Sequence, residues 1–237
     1  MGRTGKKHGV QRQRAELLLR QELYLLVQKG RSTLRRGHLR EAQECFERAL
    51  AVEPFNRASL SGLGELCARR GEHAEACEFF ERALEAGERT EHLLYALANA
   101  CRGAQRRDKA FRFYEQLVEL NPSHLRALTR LGEACLERKD FQRAGELFAQ
   151  ALALDAHNLY ALRGLATATR GRRDYRGAIP LYERLLRLEP QDHRVVLRLA
   201  EAYAHEGDVE SSRRAYRLAL EIDPGNHYAL DGLARLG

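Results

Sequence analysis

A unit of 34 residues recurs six times without a slip in register, and this periodicity constrains the 237-residue chain more tightly than any other property. Copies begin at Leu23, Arg57, Glu91, Leu125, Leu159 and His193. The twentieth position reads Ala42, Ala76, Ala110, Ala144 and Ala178, then Ser212, and the twenty-fourth reads Phe46, Phe80, Tyr114, Phe148, Tyr182 and Tyr216. The eighth is always small: Gly30, Gly64, Ala98, Gly132, Ala166 and Ala200. The seventh is Leu except at Lys29, and the thirty-second is Pro54, Pro122, Pro190 and Pro224, with Glu88 and Ala156 as exceptions. Leu125–Asn158 is the clearest copy.

At about 100° per residue, positions 4, 7, 8 and 11 fall on one stripe of a first helix. Small residues at 8 and 20 let two antiparallel helices approach closely, and the aromatic at 24 fills the space between repeats. Asp140, Asp174 and Asp208 at position 16 stand where a side-chain oxygen caps a second helix, and the proline at 32 ends it. One copy cannot bury its own apolar face, so stacking is obligatory. The chain thus divides into a basic arm and helical extension (residues 1–22), six repeats spanning 23–226 (23–56, 57–90, 91–124, 125–158, 159–192 and 193–226) and a truncated terminal helix (227–237). Leu17, Leu18 and Leu19 extend the first helix upstream. Pro180, inside the second helix of repeat five, predicts a kink or a late helix start. At the far end, Leu230, Leu233 or Leu236 is expected to lie partly uncovered, an edge open to oligomerisation.

The pattern resembles the tetratricopeptide repeat, whose signature has a bulky residue at 4, Leu at 7, Gly or Ala at 8, Tyr at 11, Ala at 20, Phe or Tyr at 24, Ala at 27 and Pro at 32. The resemblance covers residues 23–226 without insertion. Two departures stand out. Position 4 is Leu or Val and never Trp, and position 11 is Tyr only at Tyr203, with Thr33, Cys67, Cys101, Cys135 and Thr169 elsewhere. The resemblance implies an all-α fold: a right-handed solenoid of antiparallel helix pairs with a concave groove that takes peptides.

Composition narrows the class of function. Hydrophobic residues make up 44% and charged residues 31%, as in an ordinary folded protein. No apolar run approaches the ~18 residues of a membrane span. The first residues lack the apolar stretch and cleavage site of a secretory signal, so the expected location is cytoplasmic. Five cysteines form no CxxC pair, which argues against a disulfide framework or zinc site. Cys67, Cys101 and Cys135 sit one repeat apart, too far for shared coordination, and read as small core residues. No HExxH motif, phosphate loop or nucleophile elbow is present. The expectation is no catalysis, no cofactor and no metal.

A binding face is predictable. Positions 2, 5, 9 and 12 of each first helix lie ~130° from the core stripe. From them, the candidate groove residues are Tyr95, Asn99, Arg102, Arg126, Thr129, Glu133, Tyr160, Arg163, Arg170 and Arg194. Tyrosine and arginine most often carry interface energy, so the expected partner is a protein or peptide with acidic character. The carboxylate clamp that some members of the family use on chaperone tails is incomplete. Arg126 and Arg130 satisfy its last two positions, but Ser61, Glu65 and Ala96 replace its lysine and asparagines. An alternative is a nucleic-acid or anionic-surface binder. It would use the arm, which holds six Lys/Arg against two Glu, and the turn pairs Arg35–Arg36, Arg69–Arg70, Arg106–Arg107, Arg138–Lys139 and Arg172–Arg173. Cations at helix C-termini also complement the macrodipole without any ligand.

Overall fold

A computed structural model describes the backbone of residues 3–236 and the side chains of residues 13, 14 and 16–236. Among these residues the chain is all-α. Met1, Gly2 and the side chains of Arg3, Lys6, Lys7 and Arg12, the bulk of the expected basic arm, lie outside the described residues.

Two compact units share the helices. The first holds α1 (Arg3–Arg35), α2 (Leu39–Val52), α3 (Arg57–Arg70), α4 (His73–Glu85), α5 (Glu91–Gly103) and α6 (Arg107–Leu120). The second holds α7 (Leu125–Glu137), α8 (Phe141–Leu154), α9 (Leu159–Gly171), α10 (Tyr175–Leu188), α11 (His193–His205), α12 (Val209–Ile222) and α13 (His227–Arg235). Within each unit the helices pack as consecutive hairpins, and each second helix also packs on the first helix of the next hairpin. This is the arrangement of an α-solenoid, in which every repeat touches only its neighbours.

The position-24 aromatics form the core of each joint. Phe46, Tyr114 and Phe148 are almost wholly buried. Each of the two phenylalanines lies against glycines on two successive first helices: Phe46 on Gly30 and Gly62, Phe148 on Gly132 and Gly164. The small residue at position 8 was expected. The second glycine, at position 6 of the following repeat, was not, and it is what lets the ring sit flat between the hairpins.

Helix ends follow the same period. Asp140, Asp174 and Asp208 accept the backbone N–H groups of Arg143, Gly177 and Ser211, as the sequence predicts. Every first helix from α3 onward is capped by the residue before it: Asn56, Thr90, His124, Asn158, Asp192 and Asn226. Position 15 is left-handed in all six repeats, at Gly37, Gly71 and Gly207 but also at Gln105, Lys139 and Arg173, where φ is 60–61°. Its N–H and the next one bond back to the carbonyls three and five residues earlier, as in Lys139 to Leu136 (2.9 Å) and Asp140 to Cys135 (2.9 Å). This closure favours glycine because a Cβ in that conformation is crowded. Lys139→Gly is therefore expected to raise stability by about 0.5–1 kcal/mol, read as a higher urea midpoint, whereas Gly71→Ala should lower it by a similar amount.

Two expectations are narrowed. Helix α10 begins at Tyr175, immediately after its Asp174 cap, and continues through the exposed Pro180, so there is no late start. At the C-terminal edge Leu230 is 46% exposed, but Leu233 and Leu236 pack against the cluster that includes Val196, Tyr216 and Ala219. The uncovered apolar surface there is smaller than three leucines would present.

Candidate peptide-binding faces

In the first unit, α5 carries Tyr95, Asn99 and Arg102 one turn apart on a single stripe. Tyr95 is half-buried and tilts against Tyr114, with ring centroids 6.4 Å apart. The Tyr114 hydroxyl donates to the side-chain oxygen of the half-buried Asn99 at 2.7 Å. Arg102 is exposed, and among the described residues no interaction engages its guanidinium. On α3, Ser61 donates to Glu88 at 2.7 Å, and Glu65 is held by Arg69 at 2.6 Å. Val27 and Leu34, which the helical period assigns to the same face on α1, are core residues instead.

In the second unit the seven remaining candidates divide more sharply. Arg126 and Arg194 are exposed, and among the described residues nothing engages their guanidinium groups. Tyr160, 41% exposed, lies under Arg130, whose guanidinium carbon is 5.7 Å from the ring centroid. Arg130 also pairs with Glu133 at 2.9 Å. Thr129 is buried, and its hydroxyl donates to the Arg126 carbonyl, so it is a helix-packing residue rather than a contact residue. Arg170 is half-buried beside Tyr182, whose hydroxyl burial pushes above its ordinary pKa while the Arg170 cation works against that rise.

Arg163 differs most from the sequence reading. Its two guanidinium nitrogens are taken by Glu189 and Asp192, across the turn between α10 and α11. Asp192 in turn caps α11 by accepting the Arg194 and Val195 N–H groups at 3.0 and 3.2 Å. Burial alone would raise the Asp192 carboxyl, but Arg163 and these backbone donors outweigh it and hold the group below the usual carboxylate range. Arg163 is a strut between successive repeats. The helical period gives position 5 to the groove, but here it faces the following inter-repeat turn, as Ser61 does toward Glu88.

Around Arg194 the surface closes into a cavity of about 390 Å³ between α11 and α13. Arg194, Leu197, Glu201 and Tyr228 line it from positions 2, 5, 9 and 2 of successive units, with His193 and Arg198 between them. Arg198 pairs with Glu201 at 2.8 Å. His193 and Arg198 were absent from the predicted set, because the helical period was applied to positions 2, 5, 9 and 12 and theirs are 1 and 6. Most of the basic turn pairs sit at the ends of first helices, whereas Arg106–Arg107 stands at the start of α6, and two members are already engaged: Arg69 donates to the Leu34 carbonyl at 2.6 Å, and Arg106 lies 3.9 Å from Glu78.

The cysteines are all free and buried. Cys67 lies near Glu72 and Glu75, where burial and the Glu72 carboxylate push its thiol up to about 11, so it stays protonated at neutral pH. Among the described residues no helix is long and apolar enough to cross a membrane.

A tetratricopeptide-repeat sequence profile matches residues 27–89, 95–158 and 163–227. The chain belongs to the tetratricopeptide repeat family. No curated protein sequence matches it. Solved structures with the same fold include a tetratricopeptide repeat protein from Parabacteroides merdae ATCC 43184 (20% identity over 91% of this chain and 99% of that one, TM-score 0.65). PilF of Pseudomonas aeruginosa is similar at 20% identity, covering 92% and 99%, with a TM-score of 0.63. YrrB, described as a repeat protein with an unusual peptide-binding site, aligns at 18% identity over 87% and 89%, with a TM-score of 0.53. In this family, hairpin stacks serve as scaffolds for protein–protein interaction, and the tetratricopeptide repeats of this chain are such a stack.

Proposed function

We propose that this tetratricopeptide repeat protein is a non-catalytic cytoplasmic scaffold whose first-helix faces hold an acidic, aromatic-containing segment of a partner protein. The observation that carries this reading is the state of Arg126 and Arg194. Each projects from a predicted groove position with no ion pair to its guanidinium among the described residues, and Arg194 borders a cavity with apolar contributions from Leu197 and Tyr228. An unpaired guanidinium beside apolar surface suits a carboxylate next to an aromatic ring. Arg102 offers the same chemistry in the first unit.

The test uses a fluorescein-labelled peptide rich in Glu and Tyr, with anisotropy as the readout on the full chain. Arg126→Glu/Arg194→Glu should weaken binding at least tenfold with the helical circular-dichroism signal intact. Equal affinity of the double variant and the parent overturns the assignment. Binding of duplex DNA instead, with a steep salt dependence and loss on deleting residues 1–14, would favour the basic-arm alternative. Arg163 is left untouched because its replacement disturbs the joint between repeats.

A further inference from the structure

Cys77 on α4 and Cys101 on α5 come from different repeats, at positions 21 and 11, and their sulfur atoms lie 2.9 Å apart. Both side chains are fully buried. That separation is less than about 1 Å longer than the ~2.05 Å of a disulfide bond, a gap that small rotations of the two side chains can close. We propose that Cys77 and Cys101 form a reversible disulfide when the protein meets a peroxide, locking the second repeat to the third.

The chemistry balances with hydrogen peroxide as the oxidant. One thiolate displaces hydroxide from the peroxide and becomes a sulfenic acid, the hydroxide leaving as water. The second thiol then attacks that sulfur, expels a second water and closes the S–S bond. In the reduced pair the Cys77 thiol donates to the Cys101 sulfur, and the nearby Arg106 and Lys109 cations favour a thiolate at Cys77. The resolving sulfur is already in contact, so the sulfenic acid closes faster than it can oxidise further. Burial has a second consequence. A small peroxide reaches the pair through local opening of the α4–α5 joint, but a bulky thiol reductant does not reach the finished bond while the joint is closed. The bond would fix α5, the helix that carries Tyr95, Asn99 and Arg102, against α4.

The experiment uses the full chain, fully reduced and then exposed to one equivalent of hydrogen peroxide. After removal of peroxide, the protein is denatured, alkylated and digested without reductant. The expected map contains one linked peptide pair joining Cys77 to Cys101, with Cys45, Cys67 and Cys135 alkylated. The oxidised protein should melt about 5–10 °C higher than the reduced one. It should also resist reduced glutathione until unfolded in urea. Five alkylated cysteines, a different pairing, a sulfinic acid at Cys77 or Cys101, or an unchanged melting temperature would each overturn the proposal. Because the map is made on the natural sequence, it does not depend on a variant folding.

Discussion

Phe148→Ala should lower unfolding stability by about 3–5 kcal/mol, and Gly164→Ala by about 2–3 kcal/mol, yet the two together should cost little more than Phe148→Ala alone. The reason is one contact. Phe148 is 1% exposed, and the same end of its ring lies against Gly164 on α9, most closely, and Gly132 on α7. A methyl group on Gly164 would penetrate the ring, and neither the ring nor either helix has free volume into which to retreat. Removing the ring opens that volume, so the added methyl then meets empty space. The coupling between the substitutions should therefore approach 2 kcal/mol, measured by urea denaturation of the four proteins in a double-mutant cycle. A coupling near zero would mean that the joint between the fourth and fifth repeats is not built around this ring.

Arg163→Glu is the second large effect. It would replace the cation shared by Glu189 and Asp192 with a third carboxylate. Losing one partner of a buried pair costs about 3–5 kcal/mol. The Arg163 side chain is 40% exposed, so solvent screening reduces the expected loss to about 1–2 kcal/mol. Its pH dependence identifies the cause. The Asp192 carboxyl is held below its unfolded value, so the stabilisation is fully present above the unfolded pKa near ~4 and is lost as pH falls through the folded pKa. The difference between the parent protein and Arg163→Glu should thus be constant from pH 6 to 8 and narrow below pH ~4, as the Asp192 carboxyl protonates. A gap independent of pH would assign the loss to packing rather than charge. Because Asp192 also caps α11, the same substitution should fray the first turn of that helix, visible as faster amide exchange at Val195.

The contrast between Arg163 and Arg194 shows where sequence reading ends. Both stand at groove-facing positions of a first helix, and helical period alone treats them alike. One meets two acids across the next turn, and the other meets none. That difference depends on the residues 26 and 29 positions downstream, Glu189 and Asp192, and on how the turn folds back over α9. Thr129 teaches the same lesson on a smaller scale, since it lies just on the buried side of the face to which counting assigned it. The left-handed position 15 was half-visible, because Gly37, Gly71 and Gly207 recur in register, while Gln105, Lys139 and Arg173 conceal the same backbone under ordinary side chains. Cys77 and Cys101 were hidden for a geometric reason. Cysteines spaced by a whole repeat cannot meet, but one on a second helix and one on the next first helix share a joint.

By itself the sequence determined the repeat, the helix boundaries marked by its caps, and the small and aromatic positions of the core. These are consequences of local periodicity and of steric volume, and both can be read from residue type and spacing. The partners of each exposed charge, the second glycine beneath Phe46 and Phe148, the cavity at Arg194 and the sulfur contact between α4 and α5 were decided only by tertiary structure. Each depends on which side chains from different hairpins arrive at the same point, and a 34-residue period repeats the backbone while leaving those pairings free to vary.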